Sequence, residues 1–401
     1  MRDGWKKVAI SDVCIMIKRG QAPSYTENKS VTVLNQKCIR DGRINLEFSR
    51  QTDANLKPVN EWAYLNAIDT LVNSTGVGTL GRVAFVRNLP EPTTVDSHVT
   101  IVRPDNKKVE PSFLGLSLNF READIEGLAA GSSGQTELSR EALGNLIITL
   151  PTLPEQKRIV DLISSVDSYI EALQQQLDSA KRSRNAVLHE LLTAGGDDWV
   201  ETSLGEIAQV IGGGTPSTTI GEYWDGDIVW LTPTEITSQD GKVVSDSIRK
   251  ITDLGFKNSG AQMLPKDSVI LTSRASVGFV ALAGKELCTN QGFQSLIPKP
   301  SVLSKFLMFW VQQNRPEYES RSAGSTFKEI SKSNVKSIKL ELPPLPEQKR
   351  IVEIVNTIDE VISLTELTTS KAQNLRSGLL SDLLSGEHEI PVTYDKVMGA
   401  A

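Results

Sequence analysis

Asp96-Ser97-His98 sets the residue types of a nucleophilic relay side by side, in which His98 would take the Ser97 proton while Asp96 orients the ring. A working relay is assembled from separated segments, and the corresponding place in the second half of the chain holds Asn290-Gln291-Gly292, so a non-catalytic role is expected. Gly76-Val77-Gly78-Thr79-Leu80-Gly81 is a literal G-x-G-x-x-G, a spacing that brings backbone close to a phosphate at a helix start. The next residues, Arg82-Val83-Ala84-Phe85-Val86, read as a strand, which removes the helix that would hold the anion. With three histidines (His98, His189, His388) and three scattered cysteines (Cys14, Cys38, Cys288), neither a metal site nor a disulfide framework is expected. No Walker lysine motif occurs, nor the glycine-rich loop and Asn/Asp-Pro-Pro-aromatic tetrapeptide of a DNA methyltransferase. The expectation is therefore a chain with no catalytic residue, no metal and no cofactor of its own.

The elements that position the remaining polar side chains come in duplicate. Leu150-Pro151-Thr152-Leu153-Pro154-Glu155-Gln156-Lys157-Arg158-Ile159-Val160 returns as Leu342-Pro343-Pro344-Leu345-Pro346-Glu347-Gln348-Lys349-Arg350-Ile351-Val352, identical at ten of eleven positions with an offset of 192. The offset holds through Asp167/Asp359, Arg184/Arg376 and Leu192/Leu384. Upstream, Trp5 matches Trp199, Gly20 matches Gly214 and Val95-Asp96-Ser97 matches Thr289-Asn290-Gln291 at 194, and Ala130-Gly131-Ser132 matches Ala323-Gly324-Ser325 at 193. The whole chain reads as a tandem duplication.

The well-matched segment reads as a long helix, about 154–194 in the first copy and 346–386 in the second. Pro154 suits a first helical position, Glu155 and Gln156 the positive end of the dipole, and Gly195-Gly196 and Gly386 the stops. Ile159, Ile163, Val166, Ile170, Leu173, Leu177, Ala180, Arg184, Val187 and Leu191 alternate spacings of four and three, a heptad seam with nine apolar positions of ten. The second copy gives Ile351, Val355, Ile358, Ile362, Thr365, Thr369, Ala372, Arg376, Leu379 and Leu383. A helix of roughly 60 Å overruns a domain of its own half, so its seam is expected to pair with the other copy, antiparallel, giving a pseudo-twofold tandem repeat. Arg184 and Arg376 are expected to be partnered or snorkelling and to help fix the register.

The globular regions read as mixed α+β with short strands, among them Val31–Leu34, Arg82–Val86, His98–Val102, Ile228–Leu231, Ser268–Thr272 and Val277–Leu282, and a helix from Leu303 to Gln313. The expected boundaries are 1–150 for the first globular domain, 151–198 for the first spacer helix, 199–342 for the second domain, 343–386 for the second helix and 387–401 for a tail. Residues 1–150 carry 18 basic and 17 acidic groups and 199–342 carry 15 of each, so both domains are near neutral and the net charge of −6 lies in the helical parts. Such a chain lacks the footprint for tight DNA binding on its own, and partners are expected to supply much of the affinity. No apolar run reaches the ~18 residues of a membrane span and no secretion signal is read at the start, so a cytoplasmic location is expected.

Two divergent domains, each ending in Leu-Pro-x-Leu-Pro-Glu-Gln-Lys-Arg-Ile-Val and a long helix, resemble the specificity subunit of a Type I restriction-modification system over essentially the whole chain. Gly212-Gly213-Gly214-Thr215-Pro216-Ser217, Trp230-Leu231-Thr232-Pro233, Leu271-Thr272-Ser273-Arg274 and Thr289-Asn290-Gln291-Gly292 are similar to that family's recognition-domain pattern. The first half follows it less closely, with Lys18-Arg19-Gly20, Asn73-Ser74-Thr75-Gly76 and Val95-Asp96-Ser97-His98. The resemblance implies two target recognition domains, each reading half of a split asymmetric site in double-stranded DNA, spaced by the paired helices. It also implies two docked methyltransferase subunits that carry S-adenosylmethionine, and it admits restriction/translocase subunits as further partners.

Residues expected at the DNA are Lys18, Arg19, Gln21, Asn35, Gln36, Lys37, Ser74, Thr75 and Arg82 in the first domain. Those in the second are Thr215, Ser217, Thr218, Tyr223, Trp224, Thr232, Thr234, Arg274, Asn290 and Gln291, with Arg274 foremost because arginine can grip guanine or phosphate with two donors. Glu155, Gln156, Lys157, Arg158, Glu347, Gln348, Lys349 and Arg350 are expected to dock the methyltransferase subunits. Two rival readings are a coiled-coil scaffold that joins proteins without reading DNA, and an enzyme with an unrecognised site.

Overall fold

A computed structural model describes residues 4–27, 30–90, 92–130, 136–324, 328–391 and 393–394 of the chain. The expected match of Gly131-Ser132 with Ser325, and most of the tail after 394, lie outside these described residues. The chain divides into two compact units, Met1–Leu173 with Thr368–Ala401, and Gln174–Leu367. Each unit therefore holds one globular region, the first half of one long helix and the second half of the other.

In the first unit a strand at Lys6–Ala9 pairs antiparallel with Ile147–Leu150 and closes the domain at its base. An antiparallel sheet follows in the order Cys14–Arg19, Val99–Pro104, Thr70–Asn73, Val83–Phe85. Val99–Pro104, Thr70–Asn73 and Val83–Phe85 are buried almost throughout because both faces are covered there, whereas the edge strand Cys14–Arg19 is partly exposed. Val72, Val83 and Val102 pack under Phe113, Leu114 and Leu118 of the helix Pro111–Phe120, while Leu71, Ala84 and Ile101 face Leu34, Cys38 and Val95. Leu34 and Val95 belong to a smaller sheet, ordered Thr93–Val95, Val31–Leu34, Arg50–Thr52, Tyr25–Thr26, in which the first pair is parallel and the others antiparallel.

The second unit repeats this plan. Val200–Ser203 pairs with Lys339–Leu342, and the main sheet runs Ala208–Gly212, Gln294–Pro298, Val269–Leu271, Val280–Ala283, Val243–Val244. The expected helix is present as Ser304–Gln313, its Phe306, Leu307 and Val311 buried with Val269, Leu271 and Val280. A small sheet of Lys250–Ile251, Trp224–Leu231 and Cys288–Thr289 covers the other face. Here the strand expected at Ile228 extends back to Trp224, whereas Val277–Leu282 contracts to Val280–Ala283.

Strand register corrects one alignment. Cys14 pairs with Pro104 as Ala208 pairs with Pro298, yet Met16 pairs with Arg103 where Gln209 pairs with Ile297. Ile15, which is exposed, is an extra residue bulged out of the first-unit strand. The offset beyond it is 193, so Gly20 corresponds to Gly213 and not to Gly214. The close approaches agree: a Cβ on Gly20 would lie 2.4 Å from the carbonyl oxygens of Val95 and Asp96, and one on Gly213 within 2.3 Å of those of Thr289 and Asn290.

The long helices run Leu153–Thr193 and Leu345–Ser385, and Gly195 and Gly386 follow them with φ of +66° and +79°. In the first unit Ile159 and Ile163 pack with Leu380, Leu383 and Leu384; in the second Ile351 and Val355 pack with Leu188 and Leu192. The start of each helix thus meets the end of the other, and the pair is antiparallel. Ile170, Leu173 and Ala372 continue the seam with Val166 beside them, and Leu177, Ile362, Thr365 and Thr369 are also buried. Ile358 and Leu379 are half-buried. Near the helix ends burial passes from Val187 and Leu191 to Leu188 and Leu192, because a 3.6-residue helix drifts about 20° per heptad, one position over some five heptads.

Both seam arginines are paired. Arg376 binds Asp167 through Nε and Nη2, the latter at 3.1 Å, and Arg184 binds Asp359 in the same two-pronged way, again with 3.1 Å from Nη2. All four residues sit at the repeat offset of 192, so one interaction is written twice.

The Pro-Glu-Gln motif has a structural task, which corrects the docking expectation for three of its residues. Gln156 is fully buried, donating from Nε2 to the Pro151 carbonyl at 2.8 Å and accepting at Oε1 from the Glu110 backbone N–H at 2.8 Å. Gln348 donates to the carbonyls of Pro343 at 2.8 Å and Ser301 at 3.0 Å and accepts from the Leu303 N–H at 2.8 Å. Each glutamine fastens a long helix to the residue that caps a domain helix, satisfying that residue's N–H and the carbonyls of the segments leading into the helices. Glu155 is buried as well and accepts from the Trp5 indole at 3.0 Å. Side chains turned inward cannot face a partner, whereas Lys157, Lys349 and Arg350 are exposed and Arg158 and Glu347 half-exposed.

Candidate nucleic-acid interface

The tight turn at Gly20, the loops after Asn73 and Val95, and residues Ala130 and Glu137 come together at one end of the main sheet in the first unit. Thr75 and Ala130 both bridge to Glu137, and the N–H of Ser74 donates to the His98 carbonyl at 2.9 Å. Beside them opens a cleft of about 570 Å³ lined by Lys18, Arg19, Trp62, Glu137, Ser139 and Arg140, three cations to one carboxylate. Lys18 lies 5.0 Å from the centre of the Trp62 ring. Arg19 is tied at both ends of its fork, to Glu137 and to the Leu138 carbonyl at 2.7 Å.

Asp96, Ser97 and His98 do not form a relay, and the glycine motif does not form a phosphate loop. Asp96 accepts from the backbone N–H of His98 at 2.9 Å, and the imidazole Nδ1 sits 2.7 Å from the Thr75 hydroxyl, so the three neighbours form a turn. Burial raises the Asp96 carboxyl, partly offset by the His98 N–H. Gly76, Gly78 and Gly81 all have positive φ in a hairpin loop between strands Thr70–Asn73 and Val83–Phe85. A Cβ at Gly76 would meet the Gln36 amide at 2.3 Å. Burial pushes the Cys14 and Cys288 thiols up to about 12 and raises Cys38 too, which disfavours the thiolate.

Several other candidates are spent on the fold. Ser74 is buried with its hydroxyl against Thr100 and cannot reach a base. Asn35 caps a turn through Oδ1 to the Lys37 N–H and donates to the Phe48 carbonyl. Gln21 accepts from the Asn60 N–H at 2.8 Å, and Arg82 donates to the Gly78 carbonyl at 2.7 Å. Lys37 is exposed.

At the matching end of the second unit, Thr215 donates to Gln291, the N–H of Ser273 donates to the Gly292 carbonyl at 2.7 Å, and Asn290 accepts from the Gly292 N–H at 2.8 Å. Arg274 stands where Thr75 stands in the first unit, for both bridge to the carboxylate residue at offset 192, Glu137 and Glu329. Arg274 binds Glu329 through Nε at 2.8 Å on a half-exposed side chain. Trp224 is only 6% exposed and its indole N–H donates to the Ser217 carbonyl at 3.1 Å, which corrects its placement at a base. Thr232 likewise caps the helix Pro233–Thr237 in a capping box, its backbone N–H donating to Glu235 at 2.9 Å and its hydroxyl to the same carboxylate at 2.6 Å. Ser217 bonds Thr219, Tyr223 is half-buried against the Trp224 cluster, and Thr218 and Thr234 remain exposed.

Sequence reasoning missed Trp62, Glu137 and Arg140, whose cleft is assembled from separate segments with no shared motif. Among the described residues no cluster of three or more His, Cys, Asp or Glu could hold a metal, and no helix is long and apolar enough to cross a membrane.

Comparison with known proteins places this arrangement. The chain belongs to the Type I restriction modification DNA specificity domain family, which it matches over residues 2–182 and again over 196–373. It is 38% identical to the "Type I restriction enzyme MjaIX specificity subunit" of Methanocaldococcus jannaschii, over 41% of this chain and 39% of that relative. The "Putative type I restriction enzyme MjaX specificity subunit" of the same organism is 22% identical over 96% of this chain and 94% of its own length. The crystal structure of the Type-I restriction-modification system S subunit from M. genitalium has the same fold, with a TM-score of 0.57, 16% identity and coverage of 96% of this chain and 97% of that one.

Proposed function

We propose that this chain selects the site for a Type I restriction-modification complex, each domain reading one part of a split, asymmetric sequence in double-stranded DNA. The carrying observation is an inequality within the duplication. The helix starts keep ten of eleven residues and the same buried bracket, whereas the loop ends of the domains set Arg19 against Gly212, Thr75 against Arg274 and His98 against Gly292. Two like docking surfaces suit two copies of one methyltransferase subunit, and two unlike readers suit an asymmetric site. Lys157, Arg158, Glu347, Lys349 and Arg350 are the motif residues left to meet those subunits. The partner, holding S-adenosylmethionine, would flip out and methylate an adenine while this chain makes no bond itself. Restriction/translocase subunits would join the same assembly, in the cytoplasm.

A band-shift assay separates this reading from a protein scaffold. The chain alone, with two near-neutral domains, is expected to shift DNA weakly at roughly 0.1–0.2 M salt. Adding the methyltransferase subunit is expected to give a salt-sensitive shift that prefers one sequence. No shift with the partner present supports the scaffold, and methyl transfer by the chain alone supports an enzyme.

A further inference from the structure

Register reveals a shared cation that the sequence offset hides. Val95 pairs with Leu34 as Thr289 pairs with Leu231, and Thr52 pairs with Val31 as Ile251 pairs with Ile228, so these strands of the small sheets correspond. Arg50 and Arg249 stand two positions before Thr52 and Ile251 respectively. Tyr25, paired with Thr52, corresponds to Trp224, paired with Ile251. In each unit the arginine lies over that ring, with Cζ 3.6 Å from the centroid in both.

The Trp224 ring is itself pinned, its indole donating to the Ser217 carbonyl at 3.1 Å while it packs edge-on to Trp230 at 5.1 Å. Tyr25 is held in the short strand Tyr25–Thr26, and the nearby Asp96 raises its hydroxyl after burial does. Both arginines are exposed. A guanidinium held flat on an aromatic face has part of its rotamer freedom already removed and keeps its in-plane N–H donors open.

We propose that Arg50 and Arg249 are matched phosphate clamps that grip the DNA backbone and carry no sequence information. The reason is a division of labour. Contacts to phosphate position a protein and contacts to base edges specify, so readers of different sequences must differ at the base contacts and are free to agree at the backbone contacts. Arg50 and Arg249 agree in charge, place and platform. By contrast Arg274 corresponds to Thr75, the behaviour of a position that reads. The proposal rests on the DNA-reading function above and assigns it a residue in each domain.

The test is binding of the assembled complex with its methyltransferase subunit to a duplex carrying its methylated motif and to a scrambled duplex, across a salt series. Arg50→Ala and Arg249→Ala are each expected to weaken both duplexes by the same factor, about tenfold near 0.1 M salt, and to flatten the salt slope by about one. Arg249→Lys, which keeps the charge and loses the planar stack, should recover most of the slope. Arg274→Ala should instead cut the preference for the motif. An unchanged slope in Arg50→Ala and Arg249→Ala, or a change in motif preference like that of Arg274→Ala, overturns the clamp. A wild-type complex that binds both duplexes equally overturns the DNA-reading function itself, so the two failures are distinct.

Discussion

Gln348→Leu is expected to destabilise the second unit by about 3 kcal/mol or more, a large share of the 5–15 kcal/mol typical of a folded domain. The side chain is fully buried and meets three backbone groups, the carbonyls of Ser301 and Pro343 and the N–H of Leu303. Leucine fills a similar volume but leaves all three unsatisfied, at about 1–3 kcal/mol each when no water replaces the lost partner. Gln156→Leu strands two such groups, the Pro151 carbonyl and the Glu110 N–H, and should cost somewhat less. Urea unfolding of each variant measures both. Losses below about 1 kcal/mol would mean that the helix starts are held by their apolar neighbours alone.

The second large effect is a pattern of rescue along the helices. Asp167→Arg places two cations together at Arg376, and Asp359→Arg does the same at Arg184. These side chains are about 13–37% exposed, so each reversal should cost about 2 kcal/mol, less than the 3–5 kcal/mol of breaking a fully buried pair. Adding Arg376→Asp to Asp167→Arg, or Arg184→Asp to Asp359→Arg, should recover at least half of the loss in thermal stability. Combining Asp167→Arg with Arg184→Asp should recover none, because those two positions are not partners. Recovery in that mismatched pair would mean that the register of the helices is different.

The helices were the most legible part of the molecule, for reasons specific to them. A motif of eleven residues with ten identities, Pro154 at a start and a glycine after each end are strong local signals, and Arg184 in an apolar seam was expected to be partnered or snorkelling, the structure supplying Asp359. Which residues of the motif faced inward was not legible. A glutamine two positions beyond the helix-start proline reads as a surface residue, and only the domain helices beginning at Pro111 and Ser304 bring the backbone groups that Gln156 and Gln348 satisfy.

In the domains, strand centres such as Val31–Leu34 could be read from composition, but the correspondence between halves could not. The extra residue at Ile15 moved Gly20 onto Gly213, and loops of unequal length set Arg50 opposite Arg249 at an offset of 199, beyond the reach of the 192–194 repeat. Arg274 was singled out for its chemistry, and the structure adds its partner Glu329, a pairing across 55 positions of sequence that no local pattern encodes. Trp224 was expected at the DNA; its burial comes from Trp230 and Ile251, strand neighbours hidden at the level of sequence.

If the two unlike domains each choose part of one DNA site, the pattern of adenine methylation in a cell must depend on this chain. Genome-wide methylation mapped in cells holding the methyltransferase subunit, with and without the chain, measures that dependence. One split motif is expected to be methylated only when the chain is present, and an Arg274→Ala chain is expected to relax one half of that motif while sparing the other. Methylation that is identical in the two cell lines, or that changes in both halves together, would contradict the assignment of one reader to each domain.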